Sequence, residues 1–151
     1  MGGKTLALNG LGLRTATFLK VEVYVIGLYL ERKSSHAKAI IESSESKRIQ
    51  MHFVRDVTTK QLRDAWKKGF EDNYEDVASI EDEIATFNAS MRDVKAGDSM
   101  VLDFSGDAVG VLINGIEIDA VEGKPFQQAL LGIWLGPKPP NDDLKEGILG
   151  H

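Results

Sequence analysis

The chain has 151 residues, enough for about one domain that buries roughly two thirds of its unfolded surface. Hydrophobic residues make up 42% and charged residues 27%, the balance of an ordinary globular protein. A net charge of −5 with Lys and Arg scattered among acids leaves no basic footprint for nucleic acid. The lack of cysteine excludes disulfides, thiolate metal sites and cysteine nucleophiles, and no run of about 18 apolar residues offers a membrane-spanning helix.

In chain order, Lys4 to Leu8 reads as a short strand, followed by a glycine-spaced turn. Gly10 and Gly12 suit positions that need φ > 0 or a close backbone approach. Lys20 to Glu31 is a strand whose near-continuous apolar run, Val23 to Leu30, predicts burial on both faces. Ser34 and Ser35 can cap a short helix holding Ala37, Ile40 and Ile41. Arg48 to Val54 alternates, with Ile49, Met51 and Phe53 on one face. Thr58 and Gln61 have capping-box spacing ahead of Leu62, Ala65, Trp66, Gly69 and Phe70 at helical period. On the wet side of that helix, Asp64 with Lys68 and Lys67 with Glu71 stand at i,i+4. Val77, Ile80, Ile84, Phe87 and Met91 mark a second amphipathic helix.

Strands return with Met100, Leu102 and Phe104, then Val109, Val111 and Ile113. Asn114-Gly115 between two apolar runs signals a two-residue hairpin, because a type I′ turn needs φ > 0 twice. Lys124-Pro125 opens a helix, GPKPP ends it, and Asn141 can cap a last short one. The order β-β-α-β-α-α-β-β-β-α-α implies one α+β domain over residues 1–151, a largely antiparallel sheet with helices on one face.

Arg14 and Tyr24 form the leading candidate pair for a ligand site. A guanidinium is always charged and expensive to bury unpaired, so an arginine feeding into an apolar strand needs a protein carboxylate or an acidic ligand. Tyr24 shares its strand face with Ile26 and Leu28, an apolar wall bearing one hydroxyl. Such a pair suits a carboxylate with a greasy tail. The plainer alternative is a structural arginine tied to backbone carbonyls beside a core tyrosine. His52 could serve as a base or as a metal or haem ligand, but neither His36 nor His151 supplies a second ligand. Glu81, Asp82 and Glu83 are consecutive on a helix and read as a solvated face. Gly10-x-Gly12 lacks the third glycine and the βαβ setting of a dinucleotide site, and no GxSxG elbow is present. No cofactor or metal site is expected.

The run LNGLGLRT…FLKVEVYVIGLYLE resembles the chalcone isomerase fold superfamily, most closely its bacterial chalcone isomerase-like domain family. The likeness continues through MHFVRDVTTKQLRDAWKKGFEDN, the KAGD turn, the NG hairpin and FQQALLGIWLGPKP, nearly the whole chain. It implies an open-faced β-sandwich, a large antiparallel sheet covered by a helical layer that forms a cleft. In the superfamily the arginine of the glycine-rich turn holds the ligand's acidic group, a position that falls on Arg14. Tyr24, three before Gly27, stands where the plant enzymes carry a catalytic threonine and the related plastid fatty-acid-binding proteins a carboxylate-holding tyrosine. The remaining catalytic Tyr, Asn and Thr of the plant enzymes are not placed by motif.

The resemblance therefore implies a non-catalytic binder of a small amphipathic acid, a fatty acid, through Arg14 and Tyr24. One alternative is an intramolecular lyase or isomerase of chalcone isomerase type, with Arg14 stabilising an oxyanion and Tyr24 moving a proton. A haem or other cofactor carrier through His52 is the other. Bacterial members are often exported and Met1 runs straight into GGKTLALNG, so a periplasmic protein whose signal peptide is absent from this chain is expected, with the cytoplasm as the alternative.

Overall fold

A computed structural model describes residues 5–17 and 19–151 of the chain. Six antiparallel strands lie side by side in sequence order: β1 (Ala7–Ala16), β2 (Val21–Leu30), β3 (Lys47–Phe53), β4 (Ser99–Ser105), β5 (Ala108–Ile113) and β6 (Ile116–Glu122). Five helices accompany them: α1 (Ala37–Glu42), α2 (Thr59–Asn73), α3 (Glu81–Ala89), α4 (Lys124–Leu135) and α5 (Asp142–Ile148). Alternation decides which side of the sheet is covered. Ile26, Leu28, Ile49, Met51, Met100, Leu102, Phe104, Val109 and Val111 all face the helices and are buried, while Gln50, His52 and the half-buried Arg48–Asp103 ion pair lie on the opposite, open face. Among the described residues no helix is long and apolar enough to cross a membrane.

The expected glycine turn is part of β1, which runs to Ala16; Lys4, the expected start, lies outside the described residues. Gly10 and Gly12 keep ordinary extended backbone, and of the two reasons for glycine only close approach applies. A Cβ on Gly12 would sit 2.7 Å from the Leu144 carbonyl oxygen, and one on Gly10 would strike that of Gly147. Helix α5 thus lies directly on the backbone of β1. Asn141, at the N-cap of α5, makes no cap hydrogen bond. Its side-chain amide clamps β1 instead, accepting from Thr15 N at 3.1 Å and donating to Leu13 O at 3.0 Å.

The capping box of α2 forms with both halves in place. The ion pairs on that helix are shifted in register: Lys60 reaches Asp64 and Lys68 reaches Asp72. The single helix expected from Val77 to Met91 is broken into a 3-10 turn, Val77–Ile80, and α3, because Ile80 has non-helical backbone. Glu81, Asp82 and Glu83 then fill the first turn of α3, where carboxylates oppose the positive end of the helix dipole. His36 rather than a serine precedes α1, with Ser34 Oγ accepting from His36 N at 3.2 Å. Trp66, Phe70 and Phe87 are buried as their spacing predicts, and so is Trp134 on α4, whereas Ile84 is only half-buried. The rings of α2, α3 and α4 pack into one core, Trp66 edge-on to Trp134 and tilted against Phe87, and Phe126 tilted against Phe70 and Phe87.

Candidate functional site

Arg14 and Tyr24 are direct cross-strand partners on the covered face of the sheet. That register comes from the glycines of β1: Gly10 stands opposite Leu28, Gly12 opposite Ile26, then Arg14 opposite Tyr24. Helix α5 occupies the space over the glycines and ends before Arg14 is covered. A cleft of about 670 Å³ opens there, between the ends of β1 and β2, the segment after β3, helix α2 and the loop Lys138–Pro140. Its apolar lining includes Val23, Phe53, Leu62, Trp66 and Ile133. On α2 the lining residues Ala65 and Gly69 are small, and Gly69 lets α2 approach Ile133 so closely that a Cβ would lie 2.8 Å from it.

The charged groups lining the cleft are Arg14, Arg55, Lys68 and Lys138 with the carboxylates Asp56 and Asp72. One guanidinium nitrogen of Arg14, Nη1, donates to the carbonyl oxygens of Thr15 and, at 3.3 Å, of Pro140. Among the described residues no carboxylate pairs with Arg14, and its Nε and Nη2 make no hydrogen bond. Tyr24 is 5% exposed and its ring stands edge-on to Phe53. The Tyr24 hydroxyl oxygen accepts from Trp134 Nε1 at 2.9 Å. With one lone pair so engaged, the phenol proton is free to be donated. Burial pushes the Tyr24 phenol up to about 12, against smaller downward pulls from the Trp134 hydrogen bond and the Arg14 charge. The hydroxyl therefore stays a neutral donor at any physiological pH.

A family model described as chalcone isomerase-like matches residues 1–150. The chain belongs to the chalcone isomerase-like family. No curated protein sequence matches it. Among solved structures it is similar to a fatty-acid binding protein of Arabidopsis thaliana, with a TM-score of 0.81 at 15% identity over 97% of this chain and 88% of that one. At that identity the likeness concerns the fold: an open, six-stranded antiparallel sheet with five helices, of chalcone isomerase-like type.

In this family member the two residues singled out by sequence are cross-strand neighbours lining one cleft, and both parts of the plainer reading match too: one arm of Arg14 is tied to backbone carbonyls and Tyr24 belongs to the core. His52 is exposed on the open face of the sheet, away from the cleft, and no cluster of three potential metal ligands exists among the described residues. Sequence reasoning missed Trp134 as a partner of Tyr24. The available signal was general, since a buried indole N–H requires an acceptor, but that acceptor lies 110 residues away.

Proposed function

We propose that this chalcone isomerase-like protein binds a small amphipathic acid, a fatty acid, in the cleft and performs no chemistry on it. One observation carries the reading: Arg14 keeps two unpaired guanidinium nitrogens beside a tyrosine whose hydroxyl, already accepting from Trp134, has its proton free to donate. A carboxylate is an acceptor-only group that can take several donors at once, so the head group complements this pair and the apolar lining takes the tail. The similarity in fold to the Arabidopsis fatty-acid binding protein supports the choice of ligand class.

The isomerase alternative asks Tyr24 to give up a proton near neutrality, and a phenol held at about 12 is poorly matched to that task. Organic extraction of the purified protein followed by mass spectrometry tests the proposal. The expected result is a co-extracted fatty acid. A Soret band in the intact protein would favour a haem carrier instead, and stereoselective flavanone formation from a chalcone, lost in Arg14→Ala, would favour the isomerase.

A further inference from the structure

Three loops frame the mouth of the cleft: the β1–β2 turn, the residues after β3, and the loop between α4 and α5. Each places a residue in the cleft wall, namely Thr17, Arg55 and Lys138. Each also presents the same exposed dipeptide, an apolar residue followed by a basic one: Leu19-Lys20, Val54-Arg55 and Pro137-Lys138. Leu19 is 71% exposed and Val54 41%, among the most exposed large hydrophobes described. The turn that carries Leu19 is held by hydrogen bonds of Lys20 N to Thr17 O and Leu19 N to Thr17 Oγ1. Thr17 and Lys20 flank it at φ of 64° and 53°, a conformation that non-glycine residues adopt at a cost and that clusters at functional sites.

The charges divide in the same way. Lys20, Arg55 and Lys138 make no ion pair among the described residues, whereas the nearby carboxylates are engaged: Asp72 by Lys68 at 2.8 Å, and Asp56 by Ala96 N at 2.9 Å with Lys95 3.9 Å away. Glu22 on this hairpin and Asp142 and Asp143 at the end of the α4–α5 loop are the exposed acids that remain. A chain of net charge −5 thus sets Lys20, Arg55 and Lys138 around one opening, Lys138 within the electrostatic reach of Asp72, and intersperses them with exposed apolar side chains. Long basic side chains beside apolar ones are the composition of surfaces that lie in the headgroup layer of a bilayer.

We propose that this rim docks on an anionic lipid surface and that the amphipathic acid passes between bilayer and cleft without crossing bulk water. The docking half stands on the rim alone; the transfer half rests on the binding function proposed above. A fatty acid partitions into bilayers by its chain, so a cleft that opens onto the membrane meets it where it resides.

Sedimentation of the ligand-free protein with sucrose-loaded vesicles tests the docking. The protein is expected to pellet with phosphatidylcholine vesicles containing phosphatidylglycerol, to remain in solution with pure phosphatidylcholine, and to be released by high salt. Lys20→Gln should lower the partition coefficient about fivefold, the worth of one cation near an anionic surface, and Leu19→Gln should also weaken it. Neither side chain lines the cleft, so both variants should keep wild-type affinity for a fluorescent fatty acid. Equal pelleting with both kinds of vesicle, no pelleting with either, or wild-type pelleting by both variants would overturn the docking. Stopped-flow transfer of the fluorescent acid from loaded protein to anionic vesicles should accelerate with vesicle concentration. A rate independent of vesicle concentration would overturn the transfer half, while docking by a protein that binds no fatty acid would refute the binding function and leave the rim's role intact.

Discussion

Strand β2 meets a cation on its covered face at each end, and the two are handled differently. At one end Arg14 stands opposite Tyr24; at the other Lys47, on β3, stands opposite Leu30 of β2 and Phe104 of β4. Lys47 is 3% exposed and its Nζ donates to Ser43 O at 2.7 Å and to Glu45 O at 2.8 Å. Burial first, and then the charge of Lys124, bring its amine down to about 8. Below that value the charges of Glu45 and Glu31 help to hold the cation; above it the neutral amine has two hydrogens, and both have backbone acceptors. A guanidinium cannot discharge. Arg14 has only two carbonyl acceptors, both on one nitrogen, and an open cleft in front of the others. The same problem, a cation on an apolar face, is solved from within at the Lys47 end and, under the proposed function, left for a ligand at the Arg14 end.

The aromatic core shared by both ends sets the scale. Phe87 is fully buried against Trp66 and Phe126, and Phe87→Ala should cost about 3–5 kcal/mol in denaturant unfolding. A loss below about 1 kcal/mol would mean that the helical layer is not seated on the sheet in this way.

The two ends then separate with pH. Tyr24 ionises at about 12 in the fold against an ordinary 10.0, so the folded state favours the neutral phenol. Its contribution is complete below pH 10 and is lost as pH rises from 10 towards 12. The shift is worth about 2–3 kcal/mol, and Tyr24→Phe should remove that part of the alkaline loss from a stability–pH profile. Lys47 acts in the opposite sense. Its folded value of about 8 lies below the ordinary 10.5, so the unfolded chain binds more protons between these values and stability should rise with pH across that window. Lys47→Met should flatten this rise without altering fatty-acid affinity. A profile unchanged by Lys47→Met would show that the amine is not disfavoured as a cation in the fold.

At the cleft itself, Tyr24→Phe deletes one hydrogen bond to a charged group and should weaken fatty-acid binding by about 1–2 kcal/mol. Trp134→Phe should weaken it by less, since the phenol loses its orienting partner and keeps its proton. A Trp134→Phe effect larger than that of Tyr24→Phe would place the indole, rather than the phenol, at the head group.

Much of this was legible in the sequence where chemistry is local. Thr58 and Gln61 announced their capping box by spacing alone, Asn114-Gly115 announced the β5–β6 hairpin, and alternation gave the covered faces of β3, β4 and β5. β1 was misread because its pattern is inverted. Its glycines face the helices, where α5 rests on bare backbone, and its leucines face outward, so the usual apolar period is absent. Asn141 had the residue type of a cap and is used as a clamp on β1, a choice made by tertiary contact. The acidic run of α3 looked like a plain solvated face because the break at Ile80, which makes it a first turn, follows from packing. At the site, Arg14 and Tyr24 could be paired on their residue types and on family likeness. Trp134 could not, since nothing local links an indole on α4 to a phenol on β2.

The central claim is that Arg14 is held open for an acid. Titration of a fluorescent long-chain fatty acid against wild type and Arg14→Ala addresses it most directly. The account predicts that the variant, still folded by its unfolding transition, binds about 2–5 kcal/mol more weakly. Equal affinity in the two proteins would contradict it and leave Arg14 as a strap between β1 and the carbonyl of Pro140.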